Sequence, residues 1–210
     1  MPDTYHHRDL SSTLRAATAE LVAERGPRGF SLREVARRAG VSHAAPAHHF
    51  GDSRGLLTAV AAEGFQALAD SLTAAVADHT DARERLRASG RAYVATAIAN
   101  PGHYAVMIDS SIHDPDDPRL AAEGLRAFAQ LIAVVEAIRD DCNPDLDIEA
   151  AATTCWATMH GLVVLDPKMA RIAEKLGQAP VGIFDHVDSA VDLLFNGFTR
   201  SRATPDLADG

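Results

Sequence analysis

The sequence predicts an all-α protein, with an N-terminal three-helix helix-turn-helix head joined to a larger helical bundle. Three observations predict this. Apolar residues recur at helical spacing along most of the 210 residues, with no convincing strand-type alternation. Clusters of Gly, Pro and Asp punctuate those stretches. Near the start, two short helical segments flank a tight turn behind one longer helix. The boundary between head and bundle is placed at 52/53, giving domains 1–52 and 53–210.

Leu10, Leu14, Ala17, Leu21 and Val22 follow i, i+4, i+7, i+11 and i+12, one face of an amphipathic helix. Gly26, Pro27 and Gly29 end it. In FSLREVARRAG, Ser31 precedes Glu34 by three residues, the spacing of a capping box, and Phe30 and Val35 occupy the staple positions. Gly40 is placed to take the left-handed conformation that stops this helix. In VSHAAPAHHF (41–50), Ser42 is the expected N-cap of a second short helix over 43–50. Pro46 constrains it, because a proline in a helix interior costs roughly 3 kcal/mol. A cap at Ser42 or His43 puts Pro46 at the edge of the first turn, where it is tolerated.

From Ser53 a long helix is expected to about His79, carrying Leu56, Leu57, Val60, Phe65, Leu68, Leu72 and Val76. Another covers about 81–99. NPGHY (100–104) breaks it and opens a short helix with Val106, Met107 and Ile108. HDPDDP (113–118) reads as a loop by its turn chemistry. Helices follow at about 119–140, 146–165 and 183–200, with a shorter piece at 167–176. The tail ATPDLADG is expected to fray.

Composition narrows the class. With 47% apolar and 23% charged residues the chain can build a core and is not of the disordered type. The net charge of −9 hides an asymmetry: residues 1–60 sum to +2 and residues 61–210 to −11. A polyanion would be repelled by the second part and not by the first. Cys142 and Cys155 offer neither a disulfide framework nor zinc spacing, so reduced thiols are expected. The start does not resemble a signal peptide, and no uninterrupted apolar run is long enough to span a bilayer. The expected location is cytoplasmic.

Catalytic signatures are missing. There is no G-x-S-x-G, no H-E-x-x-H and no phosphate-loop glycine run, and ERGPRG (24–29) follows a helix rather than a strand. No enzyme activity and no cofactor are expected. His43, His48 and His49 could bind a metal, but no two stand at i, i+4 and no acid or cysteine lies near in sequence. Asp114, Asp116 and Asp117 could hold a hard cation, yet the twelve-residue calcium-loop pattern is absent and an exposed acidic turn is the favoured reading.

A major groove about 12 Å wide admits one helix, and a second must brace it across the backbone. The segment 43–50 is placed to be that inserted helix. Small Ala44, Ala45 and Ala47 allow close approach, while His43, His48 and His49 can donate to phosphates or base edges. Core packing beside Phe50 is the plain alternative for His49.

The segments LRAATAELVAERG, FSLREVARRAGVS, HHF and GLL, in this order over about residues 10–60, resemble the TetR family of bacterial transcriptional regulators. The resemblance implies a helix-turn-helix that grips operator DNA and an all-helical regulatory domain that binds a small molecule and dimerises. It puts phosphate contacts on the recognition helix and the start of the next helix, and the candidate DNA-binding residues are Arg28, Ser31, Arg33, Ser42, His43, Ala44, Ala47, His48, His49, Ser53 and Arg54. The family usually has an aromatic residue where this chain has Ala47 and a lysine where Ser53 stands. Arg54, Arg33, Arg28 and His48 are the candidates to compensate.

CWATMHGL, with Trp156, His160 and Gly161 in W-x-x-x-H-G order, is similar to the subgroup carrying a WHG-type C-terminal domain, as are FGDSRGLLTAVAAEGFQAL and RAYVATAIANPGHYAVM. Candidate pocket residues are Phe65, Leu68, Tyr104, Met107, Phe128, Trp156, Met159 and His160, with plain core the alternative. Candidate subunit-contact residues are Ile148, Ala152, Cys155 and Val163, with Phe184, Val187, Val191, Leu194 and Phe198 on the last helix. Burial within one subunit is their alternative. The expected function is a ligand-responsive transcriptional regulator, a repressor by resemblance, that binds a palindromic operator as a homodimer and is released by a small molecule. Its expected partners are double-stranded DNA, a small-molecule effector and a second copy, with no membrane. The alternative is a helical binding protein or enzyme whose DNA-binding head is idle.

Overall fold

The structure, a computed structural model, describes residues 3–200, with side chains from Leu10 onward. The tail ATPDLADG lies outside the described residues. Among the described residues the chain is all-helical: α1 (Asp3–Arg25), α2 (Leu32–Arg38), α3 (Ala45–Phe50), α4 (Ser53–Val76), α5 (Ala82–Ala99), α6 (Pro101–Met107), α7 (Pro118–Cys142), α8 (Ile148–Lys175) and α9 (Ile183–Thr199).

The residues pack as two compact units. The first holds the chain up to Ser71 together with Ala95–Phe128, and the second holds Leu72–Val94 together with the chain from Ala129 on. This division cuts the chain differently from the boundary expected at 52/53. The first unit takes in the expected head, most of α4, all of α6 and parts of α5 and α7.

Two apolar clusters build the first unit. Leu14, Ala17 and Leu21 of α1 meet Val35 of α2 and Leu56 of α4, with Phe30 and Phe50 against them. Ala19 and Val22 of α1 meet Leu57, Val60, Ala61 and Ala62 of α4, Val106 of α6 and Leu120 of α7. Burying each of these larger side chains contributes about 1.5–3 kcal/mol. The second unit is built on Leu86 and Val94, Val134 and Ile138, Cys155 and Met159, and Val187 and Val191. On its surface Arg83 and Arg87 of α5 both bond Asp192 of α9, at 3.0 and 2.8 Å, and Arg91 bonds Asp188 at 2.7 Å.

Aspartates open four of the helices. Asp52 accepts from the Gly55 N–H at 2.8 Å, Asp81 from Glu84 at 2.9 Å, Asp117 from Leu120 at 2.9 Å and Asp147 from Ala150 at 3.0 Å. Each satisfies a first-turn donor that has no partner within its helix. The acidic turn HDPDDP thus spends Asp117 as the cap of α7, followed by Pro118, where a missing N–H costs nothing.

Two expectations need correction. The third helix starts at Ala45 with Ala44 as N-cap, not at 43 with Ser42. Pro46 is the reason: it must stand in the first turn, so the helix begins late enough to put it there. The Ser42 carbonyl accepts from the Ala45 N–H at 3.0 Å instead. The break expected near 166 is absent, and α8 runs unbroken through Pro167. Val164, Leu165, Pro167 and Lys168 are exposed there, so water can take the carbonyl that Pro167 leaves unpaired. Finally, α8 is long and apolar enough, by length and composition, to cross a membrane. The expectation concerned uninterrupted apolar runs, and in this helix Thr153, Thr154, Thr158 and His160 interrupt the apolar residues.

Candidate nucleic-acid interface

Local chemistry specifies α2 at both ends. The Ser31 hydroxyl accepts from the Glu34 N–H at 3.3 Å, and the Glu34 carboxylate accepts from the Ser31 N–H at 3.1 Å. Together they complete the expected capping box. At the other end Gly40 has φ +69°, Gly40 N–H donates to the Arg37 carbonyl at 3.3 Å, and Val41 N–H donates to Ala36 at 3.0 Å. These two bonds are a Schellman turn, which aims the chain into α3.

Pro46 is buried, and Phe50 packs beside Leu14, Leu21, Val35 and Leu56. The back of α3 is therefore anchored, and Ser42, His43, Ala44, Ala47 and His48 are left exposed. His49 is half-buried, its ring edge-on to His48 with centroids 5.6 Å apart. Ser53 and Arg54, at the start of α4, are exposed as well. These expected contact residues are near one another in the chain and open to solvent. No lysine or arginine lies on α3, so the imidazoles carry its donor capacity.

The other predicted residues divide. Arg33 is exposed on α2, and so is Arg37 one turn later, a residue the sequence reading passed over although i, i+4 spacing pairs it with Arg33. Arg28 is exposed but tethered, its Nη2 lying 3.4 Å from Asp109 Oδ2 and 3.2 Å from Ser111 Oγ. The Ser31 hydroxyl is committed to its cap. Two further arginines brace the head. Arg38 is bidentate to Glu24 at 2.7 and 2.8 Å, and Arg25 bonds Glu34 at 2.7 Å. These bonds, from Arg38 and Arg25 respectively, hold the Glu24 and Glu34 carboxyls below the ordinary range.

The pocket candidates fall in different units. Leu68 is buried, Phe65 and Met107 are half-buried, Tyr104 is half-buried, and Phe128 is partly exposed, all in the first unit. Met159 is buried in the core of the second unit, His160 is half-buried and Trp156 is 51% exposed. Of the subunit-contact candidates, Ala152, Cys155, Val187 and Val191 are already buried within the chain. Burial alone pushes the Cys155 thiol up to about 12. Ile148, Val163, Phe184, Leu194 and Phe198 keep some exposure.

A capped helix, a Schellman turn and a second helix with a small-residue outer face define a helix-turn-helix reader. Residues 14–60 match the family of bacterial regulatory proteins called tetR, and residues 86–170 match a tetracyclin repressor-like C-terminal domain. The chain belongs to the tetR family, whose members are DNA-binding transcriptional regulators with a ligand-binding domain. No curated protein sequence matches it. Among solved structures, a protein of unknown function from a Rhodococcus species is 30% identical with a TM-score of 0.75, over 94% of this chain and 100% of that one. The regulator PfmR of Thermus thermophilus shares the fold at 20% identity and TM-score 0.69, covering 90% and 99%. FadR of Bacillus subtilis, solved in complex with stearoyl-CoA, does so at 13% and 0.66, covering 89% and 98%.

Proposed function

We propose that the chain is a cytoplasmic repressor that binds a palindromic operator as a homodimer and leaves it when a small molecule occupies the bundle. The proposed division of labour is residues 1–52 for DNA and 53–210 for effector and partner. The observation that carries the reading is the exposed run Ser42–Ala44, Ala47 and His48 on a helix whose other face is anchored by Pro46 and Phe50. Ala44 and Ala47 let the backbone approach base edges or thymine methyls, and the exposed imidazoles can donate to phosphates. Arg33, Arg37 and Arg54 supply the fixed positive charge for phosphate contact.

The dimer rests on α8 and α9. Trp156, Val164, Leu165, Met169, Ile172 and Leu193 are exposed on them, apolar surface that a second subunit would cover. Helices of two subunits packed across a twofold axis would cover it and set two reading heads against half-sites roughly 34–36 Å apart. That role, rather than membrane insertion, accounts for the apolar length of α8. Trp156, His160 and Gly161 in W-x-x-x-H-G order support a WHG-type subgroup. The test is selection of binding sites from random duplex DNA by the purified protein at two salt concentrations. We expect a palindrome whose affinity falls steeply with salt. Recovery of no preferred sequence would favour a helical carrier or enzyme with an idle head.

A further inference from the structure

Segment 108–117, between α6 and α7, is fastened at three points to the head and to α4. Arg28, in the connection from α1 to α2, reaches its Asp109 and Ser111. The Asp114 N–H donates to Thr58 Oγ1 at 2.9 Å, and that hydroxyl donates to the Arg54 carbonyl at 2.8 Å. Ile112 packs on the cluster of Ala19, Val22, Leu57 and Val60. Between these points lies His113, 4% exposed, with neither ring nitrogen making a hydrogen bond. A buried imidazole with both nitrogens unpaired is costly even when neutral.

We propose that segment 108–117 is a proton-released clasp on the first turns of α4, with His113 as its trigger. In the closed clasp a charged ring would be cut off from bulk solvent, with the Met107 carbonyl beside it but no hydrogen bond of good geometry to either nitrogen. Once the segment lifts, the ring is solvated and takes a proton freely, so acid favours the open form. The surrounding charges decide how strongly. Asp109 and Asp114 on the segment and the Met107 carbonyl of α6 favour the proton, Arg54 of α4 opposes it, and Arg28 partly neutralises Asp109. Burial outweighs them and holds the ring below the ordinary histidine range. Opening frees Arg28 and the Arg54–Thr58 turn. The consequence for DNA rests on the regulator reading, but the clasp does not.

Hydrogen exchange of the full-length protein, corrected for intrinsic rates, tests the clasp without DNA. From about pH 7.5 to about pH 5.5, protection over 108–117 and at the start of α4 is expected to fall, at most about tenfold per pH unit for one proton. His113→Phe, which fills the site and cannot titrate, is expected to keep that protection, with His113→Leu as a second variant. Unchanged wild-type protection overturns the proposal, and so does equal loss in the variants. Loss of the response in His103→Gln instead would assign it to the Glu63–His103 pair. Should neither His113 variant fold, imidazole NMR of the wild type decides: a His113 ring that protonates in or above the ordinary range while its amides stay protected refutes the clasp.

Discussion

Gly102 of α6 lies against Ala19 of α1 so closely that a methyl group on its Cα would stand 1.9 Å from the Ala19 carbonyl oxygen. A backbone atom cannot move aside, so only glycine permits this approach. Gly102→Ala is expected to separate α6 from α1 and cost about 3 kcal/mol, the upper range for overpacking. At Gly64, by contrast, the obstacle is Met107 Sδ at 2.5 Å, a flexible tip that can swing. Urea unfolding should rank Gly102→Ala as the worse of the two. Equal stabilities would mean that α1 and α6 do not touch through backbone.

Glu63 of α4 joins α1 and α6. His103 Nε2 stands 3.7 Å and Arg15 Nε 2.8 Å from its carboxylate. His103 first and Arg15 next hold the carboxyl at about 2 against an ordinary 4.5, with burial pulling the other way. The folded state therefore prefers the charged form. That preference is fully present above pH 4.5 and is lost as pH falls from 4.5 toward 2. Because the side chain is 36% exposed, solvent screening reduces its worth to about 1 kcal/mol. Glu63→Gln should be less stable at neutral pH and converge on the wild type near pH 2. A gap that persists in acid would assign the loss to packing.

The reciprocal cap of Ser31 and Glu34 should be worth about 1 kcal/mol. Ser31→Ala is expected to lower the unfolding free energy by that amount, seen as a lower denaturant midpoint with the slope unchanged. If operator affinity falls further than the stability loss explains, the hydroxyl also meets DNA.

Arg54 stands exposed where α4 begins. Arg54→Ala should weaken binding to all duplex sequences alike and reduce the salt slope by about 1 per subunit. A slope equal to the wild type would remove Arg54 from the phosphate contacts.

Leu193 of α9 is 76% exposed in one chain. Leu193→Glu should leave helix content intact and yield monomers in sedimentation. Val187→Glu, by contrast, should unfold the second unit, because Val187 is fully buried. A Leu193→Glu dimer of undiminished affinity would place the subunit contact elsewhere.

The boundaries of α2 were legible because their causes are local. The capping box spans four residues and the Schellman turn six, and each carries its own signal in Ser31, Glu34 and Gly40. Pro46 was legible as a constraint but was weighed too leniently, which put the start of α3 two residues early. Pro167 misled in the opposite sense, since an exposed helix tolerates a proline that a buried one does not. Of the candidate interface, the run through Ser42, His43, Ala44, Ala47, His48 and Arg54 was readable from spacing and resemblance, and all of it is exposed.

By itself the amino-acid chain determined the helical class, the caps and the order of elements, because hydrogen bonds within one or two turns and the period of apolar residues do not depend on distant partners. Only the tertiary structure decided the rest. It tied Arg28 to Asp109, 81 residues away, and buried His113 with neither ring nitrogen in a hydrogen bond of good geometry. It also turned Cys155, Val187 and Val191 into the chain's own core rather than leaving them for a second subunit. Those outcomes depend on which faces meet when helices pack, and a sequence period specifies that a face is apolar but not what will cover it.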